Sequence, residues 1–378
     1  MPSIKSKKKL EDELSRLAIE GDAAELAQFL AQHSMSLASC ANALERAAHH
    51  GRAECVNLLI PVSDPKNADS IALLSAASMG HAECVKLLLP VSDAKAAGSA
   101  ALAAAAEEGY ADCVKLLIPA SDPKESGALC NAAKYGRADC VKLLIPVSNP
   151  KSTSSVALRA AARNGHAECV ELLIPVSDPS AEGFFALFWA ARGGHLECLK
   201  LLIPVSDPKA NNSDALGWAA SNGRVECVKL LIPVSDPKAK DSRALRMAVE
   251  YGQAECVKLL IPESSINEEY SDFFMLAVDQ GQSECALLLM PKTEFLMGYS
   301  ETFAKALRAG DAQVAAAMIG REPKLLSDES LPLALSAAVS RGHEELAGLL
   351  ASIVDFRELS ALDASAARAS NAPAHFRL

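Results

Sequence analysis

Aromatic side chains are scarce in this chain: 4% of its 378 residues, with only two tryptophans, Trp189 and Trp218. A core so poor in large rings has to be built from Ala, Leu, Val and Ile, which suits thin helices packed closely together. Long apolar runs are lacking as well. None approaches the roughly 18 residues that a membrane-spanning helix needs, so no membrane segment is expected. Met1 to Leu10 carries Lys5, Lys7, Lys8 and Lys9 but lacks the apolar stretch of a signal peptide, and it reads as a solvated leader. Catalytic signatures are missing too: there is no Walker A loop, no G-x-G-x-x-G, no G-x-S-x-G and no H-E-x-x-H. No catalytic residue, cofactor-binding residue or metal ligand is therefore assigned, and the chain is read as a non-enzyme that uses no cofactor. A formal net charge of −10 argues against a general nucleic-acid or acidic-membrane surface.

Eleven cysteines are present, yet none forms a C-x-x-C pair. Nine of them mark a repeat instead: Cys55, Cys84, Cys113, Cys140, Cys169, Cys198, Cys227, Cys256 and Cys285, separated by 29 residues at every step but one, which is 27. Each sits in a block close to G-H-A-E-C-V-K-L-L-I-P-V-S-D-P-K, with glycine four places before it (Gly51 to Gly281) and proline six places after it (Pro61 to Pro291). Regularity of this kind signals a stacked array in which each unit covers its neighbour's apolar face. Such an array adds length without needing a larger single core, so the chain need not divide into ordinary globular domains. Equivalent cysteines in adjacent units would lie about 8–10 Å apart, too far for disulfides. They are expected to be small buried hydrophobes, and a row of free thiols points to a reducing compartment.

Within one unit, Ser213 to Pro233, the signals alternate between helix and stop. Ser213 is a candidate N-cap, and Ser70, Ser99, Ser126, Ser155, Ser242, Ser271 and Ser300 share its register. Leu216, Ala219 and Ala220 form an apolar stripe at helical spacing. Gly223 is placed to end that first helix with positive φ. Glu226 suits the first turn of a second helix, Cys227, Leu230 and Leu231 give its apolar stripe, and Glu226 can pair with Lys229. Pro233 should close it. The Ser-Asp-Pro segments read as turns, with Asp bonding nearby backbone.

The stretch A-L-R-A-A-A-R-N-G-H-A-E-C-V-E-L-L from Ala157 to Leu173 resembles the ankyrin-repeat pattern P-L-H-x-A-A-x-x-G-H-x-E-V-V-x-L-L, and the resemblance recurs along nearly the whole chain. It departs in two ways. The usual T-P-L-H opening becomes S-x-A-L, and the unit of about 33 residues shortens in the loop where the family builds its β-hairpin finger. The implied fold is all-α, an ankyrin-like α-solenoid of about twelve helix–turn–helix repeats with minimal β-turns. Its expected parts are a leader and capping repeat (1–40), nine regular repeats (41–292), two divergent repeats (293–353) and a C-terminal helix or tail (354–378). The family also places a turn-bracing histidine after the inter-helix glycine, the position of His81, His166, His195 and His343.

Comparison of the repeats with one another separates scaffold from variable surface. The second helix and the V-S-D-P-K loop barely change, while the first helix varies at the two residues before each glycine and at those five and six before it. At about 100° per residue, Trp218 and Ser221 fall opposite the Leu216 face. In the ankyrin family that opposite side is the concave groove where partners dock. The resemblance thus implies a contact surface of Lys134, Tyr135, Arg159, Arg163, Asn164, Phe188, Trp189, Arg192, Trp218, Ser221, Asn222, Arg246, Met247, Glu250 and Tyr251. Trp, Tyr and Arg are the types enriched at binding hot spots. The competing expectation for the two tryptophans is that they merely fill space between neighbouring first helices.

The function read from this pattern is a protein-binding scaffold whose partner is unidentified. A microbial effector-type ankyrin protein engaging host proteins and a regulatory subunit of an enzyme are the alternatives. A monomer with no membrane contact is expected, cytoplasmic, with the nucleus or delivery into a host cell left open. A nucleic-acid partner is not expected.

Overall fold

A computed structural model describes residues 4–148, 152–264, 269–292, 299–326 and 330–355. Among these residues there are helices and turns and no strand, so the shortened loops are indeed turns rather than hairpin fingers. The chain divides into two compact units, Met1–Asn211 and Asn212–Leu378.

The first unit opens with a helix over Ile4–Glu20 paired with Ala23–Gln32. Helix therefore extends through most of the stretch expected to be a solvated leader. Its inner face is buried at Leu14, Leu17 and Ala18, and Asp22 caps the second helix by accepting the Glu25 amide proton at 2.9 Å. Paired helices follow. In one pair, Ser152–Asn164 runs to a turn at Gly165 and Ala167–Leu173 returns. Ala157, Leu158, Ala161, Ala162, Cys169, Val170 and Leu173 are all buried, so the core is a narrow seam of small and branched aliphatics. First helices pack on first helices and second on second: 128–134 and 181–193 flank 152–164, while 138–144 and 196–202 flank 167–173.

The second unit repeats this plan, with Val225–Leu231 and Ala254–Leu260 among its second helices. The buried stripe there is Cys227, Val228 and Leu231, while Leu230, expected inside, is only half-buried. Each regular second helix is only seven residues long, such as Ala254–Leu260, and neighbours press on it from two sides, which favours an inward pair of adjacent residues. Proline does not simply stop these helices. It starts a 3-10 turn, Ile232–Val234, where the missing N–H costs nothing. Lys229 and Glu226 pair at 2.7 Å as the spacing predicts, an exposed contact worth a few tenths of a kcal/mol.

The serines before each first helix do something the local sequence does not announce. Ser213 accepts a hydrogen bond from the Asp236 amide at 2.9 Å, in the loop of the following repeat. Ser70 does the same for Asp93 at 2.8 Å, Ser99 for Asp122 at 2.9 Å and Ser155 for Asp178 at 3.1 Å. They tie repeat to repeat rather than cap their own helix. Around Ser70 and Ser242 the backbone winds through left-handed turns, at Ala68, Asp69 and Ser70 and at Lys240, Asp241 and Ser242, all with positive φ, a conformation costing about 1–2 kcal/mol per residue. The exception is Ser126, in the repeat two residues shorter, which accepts locally from Ala128 at 3.2 Å. Asp236 in turn accepts from the Lys238 amide at 3.1 Å, the turn expected of Ser-Asp-Pro.

Candidate functional site

Each inter-helix glycine takes positive φ, and at Gly165 a second constraint acts. A Cβ there would lie 2.5 Å from the Nδ1 atom of His195. That ring is held because its Nε2–H donates to the Arg163 carbonyl at 3.0 Å. His166 donates likewise to the Lys134 carbonyl at 2.9 Å, and His81 to that of His49 at 3.0 Å. Where arginine replaces histidine the bond survives: Arg137 Nε reaches the Glu107 carbonyl at 2.9 Å. At these positions the residue after the glycine thus satisfies an open carbonyl at the end of the previous repeat's first helix, which fixes the backbone of Lys134 and Arg163.

On that fixed frame, the first unit carries an aromatic and cationic cluster. The Arg163 guanidinium lies 4.4 Å from the centroid of the Trp189 ring, and that of Arg192 lies 5.1 Å from it. Phe188 meets Trp189 edge-on at 5.2 Å, and Phe185 meets Phe188 edge-on at 6.0 Å. Lys134 Nζ lies 4.7 Å over the Tyr135 ring and donates to its hydroxyl at 3.1 Å. Arg163, Asn164, Lys134 and Tyr135 are exposed, and Arg159, Phe188, Trp189 and Arg192 half-buried. Asn164 uses its amide to bond the Ala160 carbonyl at 2.8 Å, finishing the helix. All eight expected residues of this unit are thus exposed or half-exposed. Sequence reading missed Phe185, which is 40% exposed and sits nine places before Gly194, outside the positions compared.

In the second unit the expected set is divided. Arg246, Glu250 and Tyr251 are exposed, while Trp218 and Asn222 are half-buried. Ser221 and Met247, expected on the open face, are buried at 5% and 9% exposure. Ser221 turns back to donate to the Trp218 carbonyl at 3.1 Å, and Asn222 bonds the same oxygen at 2.8 Å. Met247 fills space opened by Gly217: its sulfur would be 3.1 Å from a Cβ placed there. A side chain near the edge of an exposed helical face can rotate inward wherever its neighbour is glycine. Beyond the expected set, a cleft of about 520 Å³ is lined by Asp241, Arg246, Asp272, Phe273, Met275, Leu276, Asp279 and Lys305. Lys305 and Asp279 pair at 2.8 Å on its wall. Both lie in the same repeat register as the expected residues. The signal was present, but reading stopped where aromatic and arginine enrichment ended.

All eleven cysteines are free, and all but Cys130 are buried. Burial pushes the thiols of Cys84, Cys113, Cys140, Cys169, Cys198, Cys256 and Cys285 up to about 11. Desolvation also raises Cys130, against the opposing charge of Arg159, so it is not an activated nucleophile. Among the described residues no His, Cys, Asp and Glu group is arranged to hold a metal ion, and no helix is long and apolar enough to cross a membrane.

Over residues 44–127, 102–182, 129–214, 158–241 and 216–297 the sequence matches the family described as ankyrin repeats (3 copies). These overlapping stretches cover well over half of the 378 residues, and the chain belongs to the ankyrin-repeat family. Among solved structures, the human ASB11 ankyrin repeat domain is similar at 21% identity and a TM-score of 0.39, the match covering 46% of this chain and 95% of that one. No curated protein is significantly similar in sequence. Ankyrin repeats generally mediate protein–protein interaction, and the fold is typically a non-catalytic binding scaffold.

Proposed function

We propose that this protein is a non-enzymatic scaffold that grips a partner protein through the variable face of its first helices, the groove side of the ankyrin family. The observation that carries this reading is the cluster around Trp189, where two guanidiniums and Phe188 hold an indole half-exposed at the surface. The same register holds Asn131 and Ala160 in the two preceding repeats and a second tryptophan, Trp218, in the following one, so the position varies from repeat to repeat as a recognition surface does. Arg246, Glu250 and Tyr251 offer a comparable exposed set on the second unit. The row of buried free thiols fits a reducing compartment such as the cytoplasm.

The test separates folding from recognition. Trp189→Ala and Arg163→Ala, alone and together, are compared with wild type for melting temperature and for capture of cross-linked partners. Partners lost at nearly unchanged melting support the reading. An identical partner set for wild type and the double variant removes this face from the function.

A further inference from the structure

Three cations stand at one register in three successive repeats of the first unit: Lys134, Arg163 and Arg192, each 29 residues from the next. The helices that carry them pack directly side by side, 128–134 on 152–164 and 152–164 on 181–193. Neighbouring packed helices lie about 8–10 Å apart, so the cations form a ladder with that rung spacing. Each is steadied by an aromatic ring, Lys134 over Tyr135 and the two arginines over Trp189. The backbones of the first two are pinned by His166 and His195. A guanidinium lying against a ring keeps its in-plane N–H fork directed outward, the geometry that takes a carboxylate on two bonds. Among the described residues no carboxylate pairs with Arg163 or Lys134.

An extended polypeptide advances about 3.1–3.4 Å per residue, and three residues therefore span one rung. We propose that this face binds an extended acidic peptide segment carrying a carboxylate at every third residue, laid across the repeats so that successive carboxylates meet Lys134, Arg163 and Arg192. The inference rests on the binding reading above and specifies its partner. Polyanionic nucleic acid fits less well. Guanidiniums already lie over the ring that an unpaired base would use for stacking.

Fluorescence anisotropy on the full chain tests this with short labelled peptides of Glu, Pro and Ser. They share one composition and carry glutamate at every third position, at every second position, or in one block. A single-stranded oligothymidylate serves as the nucleic-acid probe. The expected result is that the every-third peptide binds at least about tenfold tighter than its permutations and the oligonucleotide. Arg163→Glu should weaken it about tenfold, Arg163→Lys, which keeps the charge but not the two-bond fork, should recover only part of the loss, and Lys200→Glu, on a second helix, should change it less than about twofold. Equal affinity for the three peptides, preference for the oligonucleotide, or an equal loss with Lys200→Glu overturns the ladder. If the spacing preference fails while Trp189→Ala still abolishes capture of the cross-linked partner, the ladder falls and the scaffold reading stands. If capture is also indifferent to Trp189, both fall.

Discussion

The imidazole of His195 donates to the main-chain carbonyl of Arg163 at 3.0 Å, and its ring fills the space that a side chain at Gly165 would need. One contact thus joins two repeats, completes a helix end and requires glycine. Gly165→Ala should cost about 1–2 kcal/mol for the left-handed backbone alone, with a further clash against His195. His195→Ala should cost about 1 kcal/mol for the lost bond. In urea denaturation the double variant is expected to be less destabilised than the sum of the two, because the ring that clashes is gone. Strict additivity would mean that the ring and the glycine do not meet.

Ser213→Ala leaves the Asp236 amide without its partner in the following repeat. The expected loss is about 1 kcal/mol, and amide exchange should accelerate at Asp236 more than at Asp207. A change confined to the first turn of the helix that begins at Ala210 would mean that the hydroxyl caps locally after all.

Cys198→Asn should destabilise by about 1–3 kcal/mol, since a polar group enters an apolar seam without a partner. The buried thiols also make stability sensitive to alkali. Unfolded, they release protons near the usual thiol value of 9.0; folded, several hold on until about 11. The native state carries more protons between those limits, so their contribution is complete below pH about 9 and is lost as pH rises toward 11. Urea midpoints measured through that range should fall, and less steeply once Cys169 and Cys198 are both changed to Ala. Equal slopes would place the thiols outside the apolar seam.

Trp218→Phe leaves Trp189 as the single indole and thus a local reporter. In that background, Arg163→Ala should raise acrylamide quenching of the remaining fluorescence, since a guanidinium 4.4 Å from the ring centroid no longer shields it. The accompanying change in stability should be small, about 0.5–1 kcal/mol for an exposed cation–π contact. Unchanged quenching would mean that the stack does not persist in solution.

Much of this architecture was legible in the residues themselves. Apolar stripes at helical spacing, glycine after each first helix, proline after each second and an acidic first turn specify paired helices, because each acts over a few residues of its own segment. The candidate face was legible in part. Register comparison put Trp189, Arg163 and Tyr251 at accessible positions, which they occupy, but it also put Ser221 and Met247 outside, where they are buried. What only packing decided are contacts made 23 to 32 residues apart, such as Ser213 with Asp236, His195 with Arg163 and Arg163 with Trp189. Local periodicity sets which way a side chain leaves its helix. Only the distance and rotation between neighbouring repeats decide which hydroxyl, carbonyl or ring it meets there.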